Sequence, residues 1–376
     1  MRSSAIVVGA GVFGASIADH LAGNRWRVQL IEQYQPGHAR QSSGGETRIM
    51  RYSHGSADWY SMLAYRAREL WQGLERDAGE QLMLRCGVVW FARRHGGWES
   101  QSADTLSRLG IPARVLDASD ARRMFPSIET GDLAFVLHEP QGGVLMARRA
   151  VRALVRRAQR RGATLTAAPV RPDGDGVLLG DDRHAADVVV WACGPWLPAL
   201  FPRLVDATVT QQDVVFVAAP PEWAAPAVPA WLDFEGTFYG TGDVEGMGFK
   251  VGPDIEGDPI DPDTLERLPA QRSIDAARTY LRRRFPALGA APVVQTRTCQ
   301  YTSTPDNNWI VAPHPEHPNV WLVGAGSGHG FKHGPAFGEY VARLIAGQER
   351  PDPRLGLGRR DPARSLRTAG GGAPAG

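Results

Sequence analysis

Lysine is almost absent from this sequence. Of the 42 basic residues, two are lysine, Lys250 and Lys332, and 40 are arginine. In a chain that uses arginine wherever a positive charge will serve, a retained lysine marks a place for a compact ammonium of tunable pKa, which a guanidinium cannot imitate. Both lysines follow a glycine-aromatic step, G-M-G-F-K and G-H-G-F-K, and such glycines point to close approach by a ligand. Cysteine is scarce too. Cys86, Cys193 and Cys299 are too few and too scattered for a disulfide framework or a zinc site. No apolar run reaches bilayer-spanning length, and the first one is too short and too glycine-broken for a signal peptide, so a cytoplasmic protein is expected. A net charge of +2 excludes bulk attraction to nucleic acid or to a membrane surface. The 376 residues suit two domains, and 43% hydrophobic with 22% charged residues are those of a soluble globular chain.

What is present begins at Ala5. The run A-I-V-V suits a strand buried on both faces, and it breaks directly into Gly9, Gly11 and Gly14 at G-x-G-x-x-G spacing. Ile17, Ala18 and Leu21 recur at helical spacing, Gly23-Asn24 ends that helix, and Val28 to Ile31 reads as a parallel strand closed by Glu32. This is a βαβ dinucleotide-binding unit. Gly9 allows the tight turn, Gly11 lets a pyrophosphate reach the helix N-terminus beside Val12 and Phe13, and Gly14 lets helix and strand pack closely. Glu32, followed by Gln33, accepts from ribose hydroxyls and would repel the 2′-phosphate of NADP. Beyond it, the loop carrying Ser42, Ser43, Gly44 and Gly45 offers further donors along a dinucleotide. Thr47, Arg48 and Arg51 follow, the arginines being candidate anion partners.

Further along, Arg148 to Gly162 holds seven arginines against an apolar stripe of Val151, Leu154, Val155 and Ala158. That pattern predicts an amphipathic helix with a solvated cationic face, and without interleaved aromatics it does not argue for nucleic acid. A strand ends at Val170. Another, Ala186 to Ala192, runs into Cys193-Gly194-Pro195-Trp196, placing Gly194 and Trp196 at the carboxyl edge of a parallel sheet. Short runs from Asp213 to Val251 suggest an antiparallel sheet. Asp261 to Phe285 reads as mostly helical, with Tyr280 and Leu281 inward and Arg282 to Arg284 outward. Val293 to Tyr301 is a strand carrying Cys299. The glycines from Gly324 to Gly330, including Gly328, precede Phe331-Lys332, and Pro335 to Ile345 closes the core. His329 and His333 stand four apart, but the flanking glycines argue against the helix a metal pair needs, so no metal is expected. From Gly347 on, the composition predicts disorder.

The segments G-A-G-V-F-G, G-G-E-T-R-I-M-R, F-Y-G ahead of G-M-G-F-K, I-D-P-D-T, C-Q-Y-T and P-E-H-P-N-V-W-L-V-G-A-G-S-G-H-G-F-K, in this order from about residue 4 to about 346, resemble the monomeric sarcosine oxidase and N-methyltryptophan oxidase family of FAD-dependent amine oxidases. The resemblance implies an α/β fold: a glutathione-reductase-like (Rossmann) FAD-binding domain of residues 1–85, 145–208 and 310–348, with an inserted antiparallel-sheet substrate domain of residues 86–144 and 209–309; the composition leaves 349–376 as a disordered tail. It implies FAD held covalently through the Cys299 sulfur. Lys250 matches the lysine that serves oxygen, Arg51 and Lys332 the pair that clamps a substrate carboxylate, Tyr239 and Tyr301 pocket tyrosines, and Arg48 an arginine near the flavin ring.

Two positions depart from the family. Gly44 and Asp254 stand where sarcosine oxidases carry histidines, and Asp254 suits a cationic or N–H-bearing substrate. The implied activity is oxidation of a secondary or cyclic amino acid, with O2 reduced to hydrogen peroxide, by a monomer. Trp231 and Phe234, if both reach the pocket, favour a substrate larger than sarcosine. Alternatives are a dehydrogenase passing electrons to a quinone or carrier, a non-enzymatic FAD-binding protein, and an NAD-dependent enzyme sharing only the nucleotide fold.

Overall fold

A computed structural model describes residues 2–366. Its organising strand is Ser4–Val8, whose last four residues are buried. An apolar run covered on both faces belongs inside a parallel sheet. Six strands form that sheet, in the spatial order 310–313, 320–324, 188–191, 4–8, 27–32 and 164–167, parallel except for the edge strand Ile310–Pro313. The helix Val12–Gly23 packs against the helices Ala147–Arg160 and Gly334–Ile345. The second crossing is close because Gly338 has no side chain: a Cβ there would lie 2.5 Å from the Ser16 backbone.

The arginine-rich helix corrects one expectation. Its stripe Val151, Leu154, Val155 and Ala158 is buried as the periodicity predicts, but the cationic face is paired with acids from other segments. Arg157, 8% exposed, donates through Nη2 to Asp19 at 2.7 Å and through Nη1 to Asp77 at 3.1 Å. Arg149 and Arg156 meet Glu245 and Glu80. An ion pair removed from water needs good geometry and several hydrogen bonds, and Asp19 receives them from both Arg157 and Arg161.

A second, eight-stranded sheet runs in the order 293–303, 208–217, 249–253, 238–241, 230–233, 88–92, 135–139 and 114–117. It is antiparallel except where Ala230–Asp233 pairs with Val88–Ala92. The helix Gln271–Arg284 covers one face, over a core that includes Trp231, Phe249, Tyr280 and Phe285. It starts ten residues later than the sequence pattern suggests, beyond Pro269, because a residue preceding proline is pushed out of the helical region. Arg284 also turns inward: it is 1% exposed and donates to both oxygens of Asp132, at 2.7 and 2.9 Å.

Residues 349–366 are not the disordered tail their composition suggests. Leu355 is 1% exposed, and the Arg360 guanidinium donates to Asp306 at 2.9 Å, the Trp309 carbonyl at 3.0 Å and the Gly356 carbonyl at 2.6 Å. One leucine and one arginine with several acceptors replace the missing apolar face. The rest of the expected tail, 367–376, lies outside the described residues. Among the described residues no helix is long and apolar enough to cross a membrane.

Candidate active site

The glycine turn after Ser4–Val8 opens a cleft along the carboxyl ends of the parallel strands. Gly9 holds φ +98° and donates its N–H to the Ile31 carbonyl at 2.7 Å; a Cβ there would meet the Ala192 carbonyl oxygen at 2.4 Å. Gly14 lies behind the cleft, where a Cβ would come to 1.9 Å from the Gly9 oxygen. Glu32 accepts from the Ala10 N–H and from Gln41 Nε2, both at 2.8 Å, and burial raises its pKa above the usual carboxylate value. Val12 N–H donates to Ser43 Oγ at 2.9 Å, which docks the serine loop onto the helix N-terminus. Of the expected cofactor residues, Gly9, Gly11, Val12, Phe13, Glu32 and Gln33 line the cleft from the first βαβ unit. Ser42, Ser43, Arg48, Val170, Gly194 and Trp196 line it from the next segments, and Gly328, Gly330 and Phe331 from the last.

A dinucleotide fits this cleft. Its lining includes Ser42 and Thr302, whose buried hydroxyl oxygens have no hydrogen-bond partner among the described residues. Buried polar groups are normally satisfied, so two such orphans in one cleft point to a polar ligand.

The cleft joins a smaller chamber on the uncovered face of the eight-stranded sheet; Arg48, Tyr301, Gly328 and Phe331 line both. Strand alternation decides what faces it. On Phe249–Pro253, Phe249 and Val251 enter the helix-covered core and Lys250 turns to the chamber. Tyr239 lies across from Gly252, and the ring fits because a Cβ on Gly252 would sit 3.0 Å from it. Leu232 and Trp90, paired across neighbouring strands, extend the same row, so Trp231, next to Leu232 along its strand, belongs to the opposite core. Phe234 does line the chamber and Trp231 does not, which corrects half of that expectation.

Lys250 is 4% exposed, and its Nζ donates to the Thr47 carbonyl at 3.3 Å and to Thr47 Oγ1 at 3.2 Å. Burial, reinforced by the nearby Arg48 guanidinium, lowers its pKa from 10.5 to about 7. Arg48 donates to the carbonyls of Ser42 and Gly44 at 2.7 Å each and approaches the Cys299 sulfur at 3.7 Å. Arg51 and Lys332 line the chamber with Asp254, Cys299 and Tyr301. Arg51 lies 5.0 Å from the Trp90 ring centroid and donates to the Ser53 carbonyl; Lys332, 3% exposed, donates to the His329 carbonyl at 2.7 Å. The turn carrying Arg51 is fixed by Glu139, fully buried, which accepts from Ser53 Oγ at 2.6 Å and Trp90 Nε1 at 2.7 Å.

Sequence reasoning missed part of this lining. His54, Trp98, Gln212, His329 and Leu366 also face the chamber. His54 joins His329 and His333, with ligand-capable nitrogens within 4.8 Å of one another. Burial first, and the Lys332 charge second, push the His54 and His333 pKa values well below the ordinary imidazole value. His54 Nδ1 donates to the Tyr52 carbonyl at 3.0 Å, so its Nε2 accepts from His333 Nε2 at 3.3 Å. A dication there would face the charges of Lys332 and Arg51, an arrangement that repels metal. The signal was the R-Y-S-H step beside Arg51, which lacks any spacing rule linking it to residue 329.

The model of the FAD-dependent oxidoreductase family matches residues 4–344. The chain belongs to that family. As a member of it, this oxidoreductase is 31% identical over 355 residues to monomeric sarcosine oxidase of Streptomyces avermitilis, covering 90% of this chain and 92% of that one. It is 28% identical over 361 residues to N-methyl-L-tryptophan oxidase of Yersinia pestis, covering 93% and 95%. Among solved structures, NikD, described as an unusual amino acid oxidase essential for nikkomycin biosynthesis, matches with TM-score 0.77 at 26% identity, over 94% of this oxidoreductase and 98% of that chain. L-proline dehydrogenase from P. horikoshii matches in fold, with TM-score 0.83 at 21% identity over 94% and 96%. Family and relatives imply FAD as the cofactor of this oxidoreductase.

Proposed function

We propose that this oxidoreductase is an oxidase of a secondary or cyclic amino acid, sarcosine-oxidase-like, that converts the C–N bond to an imine and reduces O2 to hydrogen peroxide. The observation that carries the reading is one chamber, joined to the dinucleotide cleft, that holds Arg51, Lys332 and Lys250 together. In this reading residues 1–85, 145–208 and 310–348 form the FAD-binding unit, residues 86–144 and 209–309 form the substrate unit, and the protein works as a monomer in the cytoplasm.

Bound FAD would supply a two-electron acceptor between the substrate and O2, the hydride from carbon and the proton from the substrate N–H together accounting for the two hydrogens of the peroxide. Cys299 would hold it covalently through sulfur, with the Arg48 guanidinium 3.7 Å from that sulfur. Arg51 presents a planar fork and Lys332 a point charge to the substrate carboxylate. Asp254 accepts from the substrate N–H, and Tyr239 and Tyr301 confine the reacting carbon. An ammonium on Lys250 stabilises negative charge as it develops on oxygen in a site closed to water.

The test is to mix the yellow protein anaerobically with N-methyl and cyclic amino acids, follow bleaching of the flavin, then admit air and assay peroxide. Bleaching followed by stoichiometric peroxide is expected. No bleaching by any amino acid sinks the amino-acid reading, and bleaching without peroxide moves the acceptor to a quinone or carrier.

A further inference from the structure

Outside the substrate chamber lies a second one, of about 350 Å³, and the two share Phe234 and Asp254 in their walls. They differ in charge. The inner chamber is lined by Arg48, Arg51, Lys250 and Lys332; the outer has Asp254 and Glu256 and, among the described residues, neither arginine nor lysine. In a chain with 40 arginines that exclusion is informative. The rest of the outer lining is mostly hydroxyl and amide side chains, including Thr237 and Asn307. Ser303 stands among them, 6% exposed, with no hydrogen-bond partner for its Oγ among the described residues. Phe234 is an apolar wall common to both chambers, and Leu366 adds a second apolar side chain on the inner one.

Taken from inside outward, the walls present positive charge, apolar surface, then negative charge and an unsatisfied buried hydroxyl. A ligand complementary to that order has a carboxylate, an apolar spacer and a terminal cation. We propose that the outer chamber is a subsite for a cationic group, an ammonium or guanidinium, at the end of the substrate's side chain, recognised by Glu256 and Ser303. This rests on the amino-acid oxidase reading above and narrows its substrate class. Opposite charge at the mouth draws such substrates in and raises their local concentration, while a buried hydroxyl accepts from the cation at short range.

The test compares three α-N-methyl amino acids of similar length, derived from lysine, norleucine and α-aminoadipate, by flavin bleaching in wild type and in Glu256→Gln, Glu256→Lys and Ser303→Ala. Wild type is expected to need about tenfold less of the lysine derivative than of the norleucine one for half-maximal bleaching, with the aminoadipate derivative weakest and the preference shrinking in high salt. Glu256→Gln should reduce the preference and Glu256→Lys should invert it, both leaving the norleucine derivative unchanged. Ser303→Ala should weaken only the lysine derivative. Equal use of the lysine and norleucine derivatives, or a preference untouched by Glu256→Lys, overturns the proposal while leaving the oxidase reading standing. Failure of all three, and of every other amino acid, to bleach the flavin removes the oxidase reading itself.

Discussion

The dinucleotide cleft and the substrate chamber meet at Arg48, Tyr301, Gly328 and Phe331, yet they are built on opposite principles. The cleft is shaped by backbone. At Gly9 and Gly14 the absence of a side chain is what makes the turn and the crossing possible, since a Cβ would come to 2.4 and 1.9 Å from backbone oxygens. The chamber is shaped by side chains projecting from one sheet face and from loops far apart in sequence, each held by partners of its own. Damage to the first should be all or none, and damage to the second should separate into distinct losses.

The largest effect is expected at Gly14. Gly14→Val forces the helix off the strand, and the purified variant should contain no flavin; a normal flavin content would mean the crossing can relax. Cys299→Ser should be equally absolute on a narrower readout. Acid denaturation should leave the yellow colour on the wild-type polypeptide and release it from the variant, whereas release from both would rule out the covalent link. Lys250→Met should slow reoxidation by O2 by about 100-fold or more, the scale of one well-placed electrostatic group, while flavin reduction stays within about twofold. Equal slowing of both halves would contradict the role given to Lys250. Because burial lowers the Lys250 pKa to about 7, the ammonium is the minority form above neutrality, and reoxidation should fall as pH rises through that value. A flat profile matched by Lys250→Met would remove the ammonium from the step. Arg51→Ala should raise the substrate needed for half-reduction by about 10- to 100-fold, as expected for a charged hydrogen bond.

The smallest effect concerns stability. Between about 7 and 10.5 the unfolded chain holds a proton on Lys250 that the folded chain does not. Its contribution is complete above 10.5 and is lost as pH falls toward about 7. Melting temperature measured across that window should therefore rise less in Lys250→Met than in wild type.

The same contrast explains what could be read from the sequence. The first wall of the cleft was legible because strand, turn, helix and second strand are contiguous between Ser4 and Glu32, so periodicity and glycine spacing describe that unit. In the chamber, Arg48, Arg51, Lys250, Cys299 and Lys332 came from resemblance and from the rarity of lysine. What stayed hidden depends on pairing between distant segments. Nothing local to Arg157 or Arg284 announces that Asp19 or Asp132 will draw each inward. The period of two parts Trp231 from Phe234, but which of the two faces the chamber is set by the partner strands and the covering helix. Arg360 likewise finds two of its acceptors more than fifty residues away, at Asp306 and Trp309, which is why composition mistook an anchored segment for a disordered one.

The order of the strands has a consequence for how the protein is made. The cleft begins at Gly9 but is closed by Val323 to Phe331, and the strand Val188–Trp191 stands between the first strand and Val320–Gly324. A ribosome must therefore release more than 330 residues before the binding cleft has all its walls, although its most recognisable motif emerges first. Cofactor capture is thus a late event in biogenesis, and a chain arrested after Trp191 would carry the glycine motif without a place to put FAD.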